Sequence, residues 1–401
     1  MELDAGERLK VGQIVEVEIG AIAHGGHFVA RHQGQVIFVR HAITGEKSKV
    51  KITAVNSKIA HADVVEVLTT ASERVSPPCK YAGSCGGCDF QHISLSAQLK
   101  FKREIILEQF LRIGKIDLIA EGFDFQVTQL DPDDGLHWRT RMDFAVSENG
   151  KIGFFGARSN QVIEIEDCLI ADERMKVKDL VARNWKSDAR VEVAVSSNSE
   201  ISVMRSGRSI SGPTQITEQV AGNSFRISPV AFWQSHRNAP TTLVKAALAQ
   251  LKVKSGDWVC DLYSGVGLFA AEILQQVGGQ GVVTLIESDK TAIADARKVF
   301  AKHSNVNIHA GLVDQQLNLV KRADLILLDP PRTGAGESVI KQMIKLRPRK
   351  IVYVACDPAA LARDAKYLQE SGYKLDHIEA FDLFPMTQHM ECVAGFSPAK
   401  D

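Results

Sequence analysis

No stretch of this 401-residue chain reaches the roughly 18 consecutive apolar residues that a membrane helix needs. The opening MELDAGERLK lacks a basic stretch followed by an apolar core, so neither a signal peptide nor a membrane anchor is expected, and the chain reads as cytoplasmic. Net charge is also missing: 48 Lys and Arg balance 48 Asp and Glu, which excludes a protein that holds nucleic acid by bulk charge. Any nucleic-acid contact has to come from a local patch. Cysteine is scarce and odd in number at seven, unlike a secreted disulfide framework. Internal repeats and low-complexity segments are absent. What remains is ordinary globular composition, 45% hydrophobic and 24% charged, in a chain long enough for two to four domains of roughly 100–200 residues.

Residues 11–68 read as short β-runs (QIVEVEIGAIA, HFVARH, QVIFVRHA, KSKVKITAV, DVVEVL) punctuated by glycines, the pattern of a small five-stranded barrel. Between Ala21 and Ala60 six Lys or Arg stand against one acid, Glu46, with four histidines besides. That patch suits single-stranded or looped RNA, or is simply a solvated face. A Pro-rich junction follows, then SLSAQLKFKREIILEQFLRIG, a helix begun by Ser94 and closed by Gly114. Residues 123–230 alternate again and suggest a β-rich middle domain. From about 237 onward strand, glycine turn and helix repeat, which predicts a doubly wound Rossmann-like parallel sheet covered by helices on both faces. The expected division is 8–70, 71–235 and 236–401.

Cys79, Cys85 and Cys88 stand at C-x5-C-x2-C spacing in CKYAGSCGGC. Three thiolates on one loop can share a soft metal, and Cys168 in IEIEDCLIAD is the candidate fourth ligand. Four thiolates suit zinc or an iron–sulfur cluster. The segment DWVCDLYSGVGLFAAEIL is strand, turn and helix, with Gly265 and Gly267 letting a ligand approach the backbone. Glu287 closes the next strand, where an acid grips ribose hydroxyls. With Ala270 in place of a third glycine, the turn favours S-adenosylmethionine over a dinucleotide. Cys356 follows an apolar strand and precedes a helix whose dipole would favour its thiolate, and Glu391 follows an irregular loop. A thiol and a carboxylate over a flat ring are a nucleophile and a general base. Cys260 and Cys392 read as core, Arg139 and Arg141 as either RNA contacts or ion pairs, and Arg363 with Asp364 as a local pair.

These segments, together with FWQ, DPPRTG, CDPAALARD and HMEC, resemble the RNA 5-methyluridine methyltransferases over nearly the whole chain. The likeness is strongest to the ribosomal RNA members with an N-terminal OB-like TRAM barrel and an iron–sulfur cluster. The resemblance implies a monomer that methylates C5 of a uridine in structured RNA, foremost large-subunit (23S) ribosomal RNA, from S-adenosyl-L-methionine. It makes Cys356 the nucleophile and Glu391 the base. Gln234, Tyr263, Glu287 and Asp329 become cofactor contacts, beside the Gly265 turn. It also implies a 4Fe-4S cluster on Cys79, Cys85, Cys88 and Cys168, with zinc as the alternative. Asp357 stands where the family usually has Asn, Leu268 and His236 where Asn is often found, Ala360 where Thr is common and Ala355 where Ser is frequent. A transfer-RNA methyltransferase and a non-catalytic, cluster-bearing RNA-binding or ribosome-assembly factor are the alternative readings.

Overall fold

A computed structural model describes residues 8–399 apart from 57, 131–133 and 188. Alternation of apolar and polar residues closes the first strands into a barrel in the order β1-β2-β3-β5-β4. They are β1 (Ile14–Ala23), β2 (His27–His32), β3 (Gln35–Arg40), β4 (Lys47–Val55) and β5 (Ile59–Thr69). Phe28, Ile37, Val39 and Val50 fill its interior. Buried Glu46 anchors the barrel to the next segment, because both its oxygens accept from the Arg74 guanidinium at 2.5 and 2.8 Å.

Helix α1 (Leu95–Gln109) follows the cysteine loop and runs into a wider turn that ends at Gly114. The Ser94 side chain makes no capping hydrogen bond. A Cβ at Gly114 would lie 3.0 Å from the Ala362 carbonyl, so glycine lets the turn sit tightly on the C-terminal domain. Strand β6 (Val127–Gln129) pairs in parallel with a strand of the C-terminal sheet, although it lies within residues 71–235.

The middle sheet runs β12-β11-β10-β7-β8-β9. It comprises β7 (Arg141–Val146), β8 (Ile152–Phe155), β9 (Val162–Glu164), β10 (Arg190–Val195), β11 (Ile201–Arg205) and β12 (Arg208–Ser211), with the short helix α2 (Val177–Val181) between β9 and β10. A hairpin, β13 (Ile216–Val220) and β14 (Asn223–Ile227), then leads into α3 (Ala239–Leu251).

The C-terminal domain alternates β15 (Trp258–Leu262), α4 (Leu268–Val277), β16 (Val282–Glu287), α5 (Lys290–Val299), β17 (Val306–Ala310), α6 (Val313–Gln316), β18 (Leu325–Leu328), α7 (Gly336–Lys345), β19 (Lys350–Ala355) and α8 (Pro358–Glu370). It closes on β20 (Tyr373–Asp382) and β21 (Glu391–Pro398). The sheet order is β17-β16-β15-β18-β19-β21-β20-β6, parallel from β17 to β19, with β21 antiparallel to both its neighbours. LILL of β18 and KIVYVA of β19 are buried throughout, as a sheet covered on both faces requires. Among the described residues no helix is long and apolar enough to cross a membrane.

Candidate active site

The carboxyl ends of the parallel strands meet at one edge, where ligands bind in sheets of this kind. Register brings the first two residues together. Ala355 of β19 lies opposite Cys392 of β21, so the next residues outward, Cys356 and Glu391, are neighbours across an antiparallel pair. Asp329 follows β18, whose Leu328 pairs with Leu262 of β15 on one side and Tyr353 of β19 on the other. The buried Gln234 donates to Asp329 across 3.4 Å from the other end of the chain's middle.

Charge in this pocket is unusual. Buried Glu391 and half-buried Asp329 lie close together, both held well above the ordinary carboxylate range, by desolvation first and, for Glu391, by the neighbouring acid. Arg332 opposes the shift of Glu391. Cys356 is only partly buried, yet its thiol is pushed up to about 12, by burial first and then by Glu391 and Asp329. The helix dipole of α8 therefore does not produce a resting thiolate: the loss of solvent and the two acids outweigh it.

LARD holds the loop beside the nucleophile. Asp364 Oδ2 accepts from the Tyr353 hydroxyl at 2.8 Å and from the backbone N–H of Ala335, also at 2.8 Å. Its other oxygen accepts from Arg363, which also donates to the Thr333 carbonyl at 2.8 Å. The sequence paired these two residues locally, and the structure adds their grip on the DPPRTG loop. Gly334, at φ +74°, fits there because a Cβ would lie 2.6 Å from both side chains.

The glycine turn after β15 adjoins this pocket. Tyr263 has φ +59°, and Gly265 follows with φ +56° and open space where a Cβ would stand. Glu287 accepts from the Gly265 N–H at 2.9 Å through one oxygen and from the Asp289 N–H at 2.7 Å through the other. Buried Asp261 accepts from the Ala270 N–H at 3.1 Å, while its second oxygen and the Ser264 hydroxyl have no hydrogen-bond partner among the described residues. Unmet polar atoms, an open turn and an acid at the next strand end suit a nucleoside with an amino-acid tail. Gly265, Tyr263, Glu287, Asp329 and Gln234 thus share one strand-end edge.

Cys79, Cys85, Cys88 and Cys168 line a second cavity, of about 120 Å³, between the cysteine loop and the middle sheet. All four are free thiols. Burial pushes Cys88 up to about 12 and Cys168 up to about 11, and their mutual repulsion adds to it. Among the described residues no three His, Cys, Asp or Glu side chains converge closely enough to hold a single metal ion. Arg139, read from sequence as an RNA contact or an ion pair, is half-buried beside Cys168 and Cys88. Arg141 is half-buried too, donating to the carbonyls of Pro229 and Ala231 and facing Glu218 at 3.5 Å. Cys260 and Cys392 are core residues, 1% and 0% exposed.

Three links join the cavities, and the sequence announced none of them. The Phe90 N–H, two residues after Cys88, donates to the Met386 carbonyl at 2.9 Å, in the loop that leads to Glu391. Gln98 donates to the carbonyls of Phe90 and Ile93 and accepts from the Met386 N–H. Buried Lys102 holds Asp382 at 2.6 Å, at the start of the same loop. His389 lies in that loop, 3.3 Å from Arg332.

Known proteins give a consistent comparison. A TRAM domain family model matches residues 8–65, a tRNA (Uracil-5-)-methyltransferase model matches 312–396 and a methyltransferase small domain model matches 233–352. An uncharacterized RNA methyltransferase of Streptomyces avermitilis is 39% identical, covering 97% of this chain and 99% of its own. One from Bdellovibrio bacteriovorus is 31% identical over 96% and 95%. Among solved structures, Pyrococcus abyssi tRNA (uracil-54, C5)-methyltransferase in complex with S-adenosyl-L-homocysteine has a TM-score of 0.69 at 22% identity, covering 94% of this chain and 99% of that one.

Proposed function

The chain belongs to the RNA methyltransferases of the uracil-5 family, and we propose that it methylates C5 of a uridine in large-subunit ribosomal RNA, as a cytoplasmic monomer, through Cys356 and Glu391. The observation that carries this reading is the β19–β21 register, which sets a thiol and a buried carboxyl side by side at a strand-end pocket. C5 of uracil is a weak nucleophile. Addition of Cys356 sulfur to C6 makes C5 an enolate-like carbon, able to take a methyl group. Bound S-adenosyl-L-methionine supplies that group as an electrophile. Gly265, Tyr263, Glu287, Asp329 and Gln234 are the residues that would hold it. Glu391 then removes the C5 proton, and the C6–sulfur bond breaks as the ring recovers its double bond. Once ionised, a carboxyl held above its ordinary range is a stronger base than a free one. The target base has to leave its stack to reach a partly buried thiol, so a loop uridine is expected.

Cys79, Cys85, Cys88 and Cys168 are proposed to hold a 4Fe-4S cluster. The four thiols line one cavity, and such a donor set suits the cluster, with zinc the alternative. The cluster's part is structural, since its loop is hydrogen-bonded to the loop leading to Glu391.

A second substrate reading is favoured by the whole-chain likeness to an enzyme of transfer RNA. Because that likeness covers 94% of this chain, barrel and cysteine region do not by themselves separate the two RNAs. The test incubates the protein with labelled S-adenosylmethionine and total unmodified RNA. Label in large ribosomal RNA as 5-methyluridine, absent with Cys356→Ala, supports the first reading. Label in transfer RNA selects the second. Folded protein that binds RNA and transfers no label is the non-catalytic factor.

A further inference from the structure

The turn between β1 and β2 is far from the catalytic residues in sequence but not in space. His24 Nε2 lies 2.9 Å from Asp357 Oδ2, across 333 residues of chain. Asp357 is the residue after Cys356, and its other oxygen caps α8 by accepting from the Ala360 N–H at 2.8 Å. Two residues on, Gly26 sits against Gln388 and Phe90. A Cβ there would lie 2.6 Å from Gln388 Cβ and 3.2 Å from the Phe90 ring, and the backbone has φ +73°. One barrel turn therefore touches the nucleophile's helix, the loop leading to Glu391 and the cysteine loop.

We infer that this turn is a wall of the catalytic pocket, in which His24 is a positioning residue that holds Asp357 and offsets its charge beside Cys356. The inference rests on Cys356 being the nucleophile. The groups facing the thiol are Glu391, Asp329 and Asp357, with Arg332 the opposing cation. Three acids against one base hinder thiolate formation. A proton on His24 removes most of the third acid's field. His24 faces Asp357 and, more weakly, Glu108 of α1, and both raise its affinity for a proton. The His24 charge thus persists to higher pH than on a free imidazole and is lost as pH rises through the raised value. Asp357 responds in the opposite direction, held down by its bonds to His24 and α8. The barrel then does more than carry RNA: RNA that displaces or reinforces this turn acts directly on the nucleophile.

The test reads alkylation of Cys356 by iodoacetamide, followed peptide by peptide by mass spectrometry, and needs neither RNA nor methyl donor. In the full chain His24→Ala should slow alkylation about three- to tenfold near neutral pH, the range expected when one nearby carboxylate loses its counter-charge. The deficit should narrow at alkaline pH, where wild-type His24 is itself uncharged. Adding Asp357→Asn, which keeps the cap acceptor and removes the charge, should restore the rate. In methyl transfer the single variant should lower kcat with the KM for RNA unchanged, and the double variant should recover it. An unchanged alkylation rate in folded His24→Ala, or a loss that Asp357→Asn does not restore, overturns the inference. Wild-type protein that shows the alkylation pattern but methylates no RNA supports this inference and refutes the proposed function.

Discussion

Cys356 on one side and Cys88 with Cys168 on the other have thiols that burial pushes to about 11 or 12, but among different neighbours. Around Cys356 the opposing charges are carboxyl groups, Glu391 and Asp329, which can take or release a proton. Around Cys88 and Cys168 they are other cysteines, with Arg139 the half-buried cation beside them. The first surrounding can trade protons with a reacting base. The second offers only thiols, whose ionised forms would oppose one another unless a cation sat among them. Thiol position alone separates neither case; the neighbours do.

The comparison can be broken at several points. The largest effect is expected for Cys168→Ser, which should strip bound iron, measured by metal analysis, and lower the thermal midpoint. Cys356 alkylation should respond only through loosening of the Phe90–Met386 contact. Bound iron that survives this change would contradict the four-cysteine cage. Lys102→Met tests the tie between the two cavities, leaving Asp382 buried and unpaired. Denaturant unfolding should show a loss of about 3–5 kcal/mol, as for other broken buried pairs, and a loss below about 1 kcal/mol would mean the pair is dispensable. Gly334→Ala touches the catalytic side alone, forcing φ +74° on alanine beside Arg363 and Asp364. It should cost about 1–3 kcal/mol, with the iron content unchanged.

Much of the site was legible because the chemistry sits where regular structure ends. GVG, DPPR and the residues after β19 announce themselves through strand–turn–helix rhythm, and β18 and β19 are apolar throughout because both faces are covered. The barrel was legible from its alternation. The partners of Arg139 and Arg141 were not, since they come from distant parts of the middle domain. His24 with Asp357, Gln98 with Met386 and Lys102 with Asp382 gave no local signal, because each pair is separated by more than 270 residues. The opposition to a Cys356 thiolate gave no local signal for the same reason. A helix dipole is visible in sequence, while the two acids that oppose it come from β18 and β21.

The central claim is that Cys356 bonds to the base and Glu391 releases it. Glu391→Gln, mixed with substrate RNA and S-adenosylmethionine, tests that directly on a denaturing gel. The account predicts a protein–RNA adduct that survives denaturation, carries the methyl label and disappears when Cys356→Ala is added. Methylated RNA released freely by Glu391→Gln, with no adduct at any time, would contradict it.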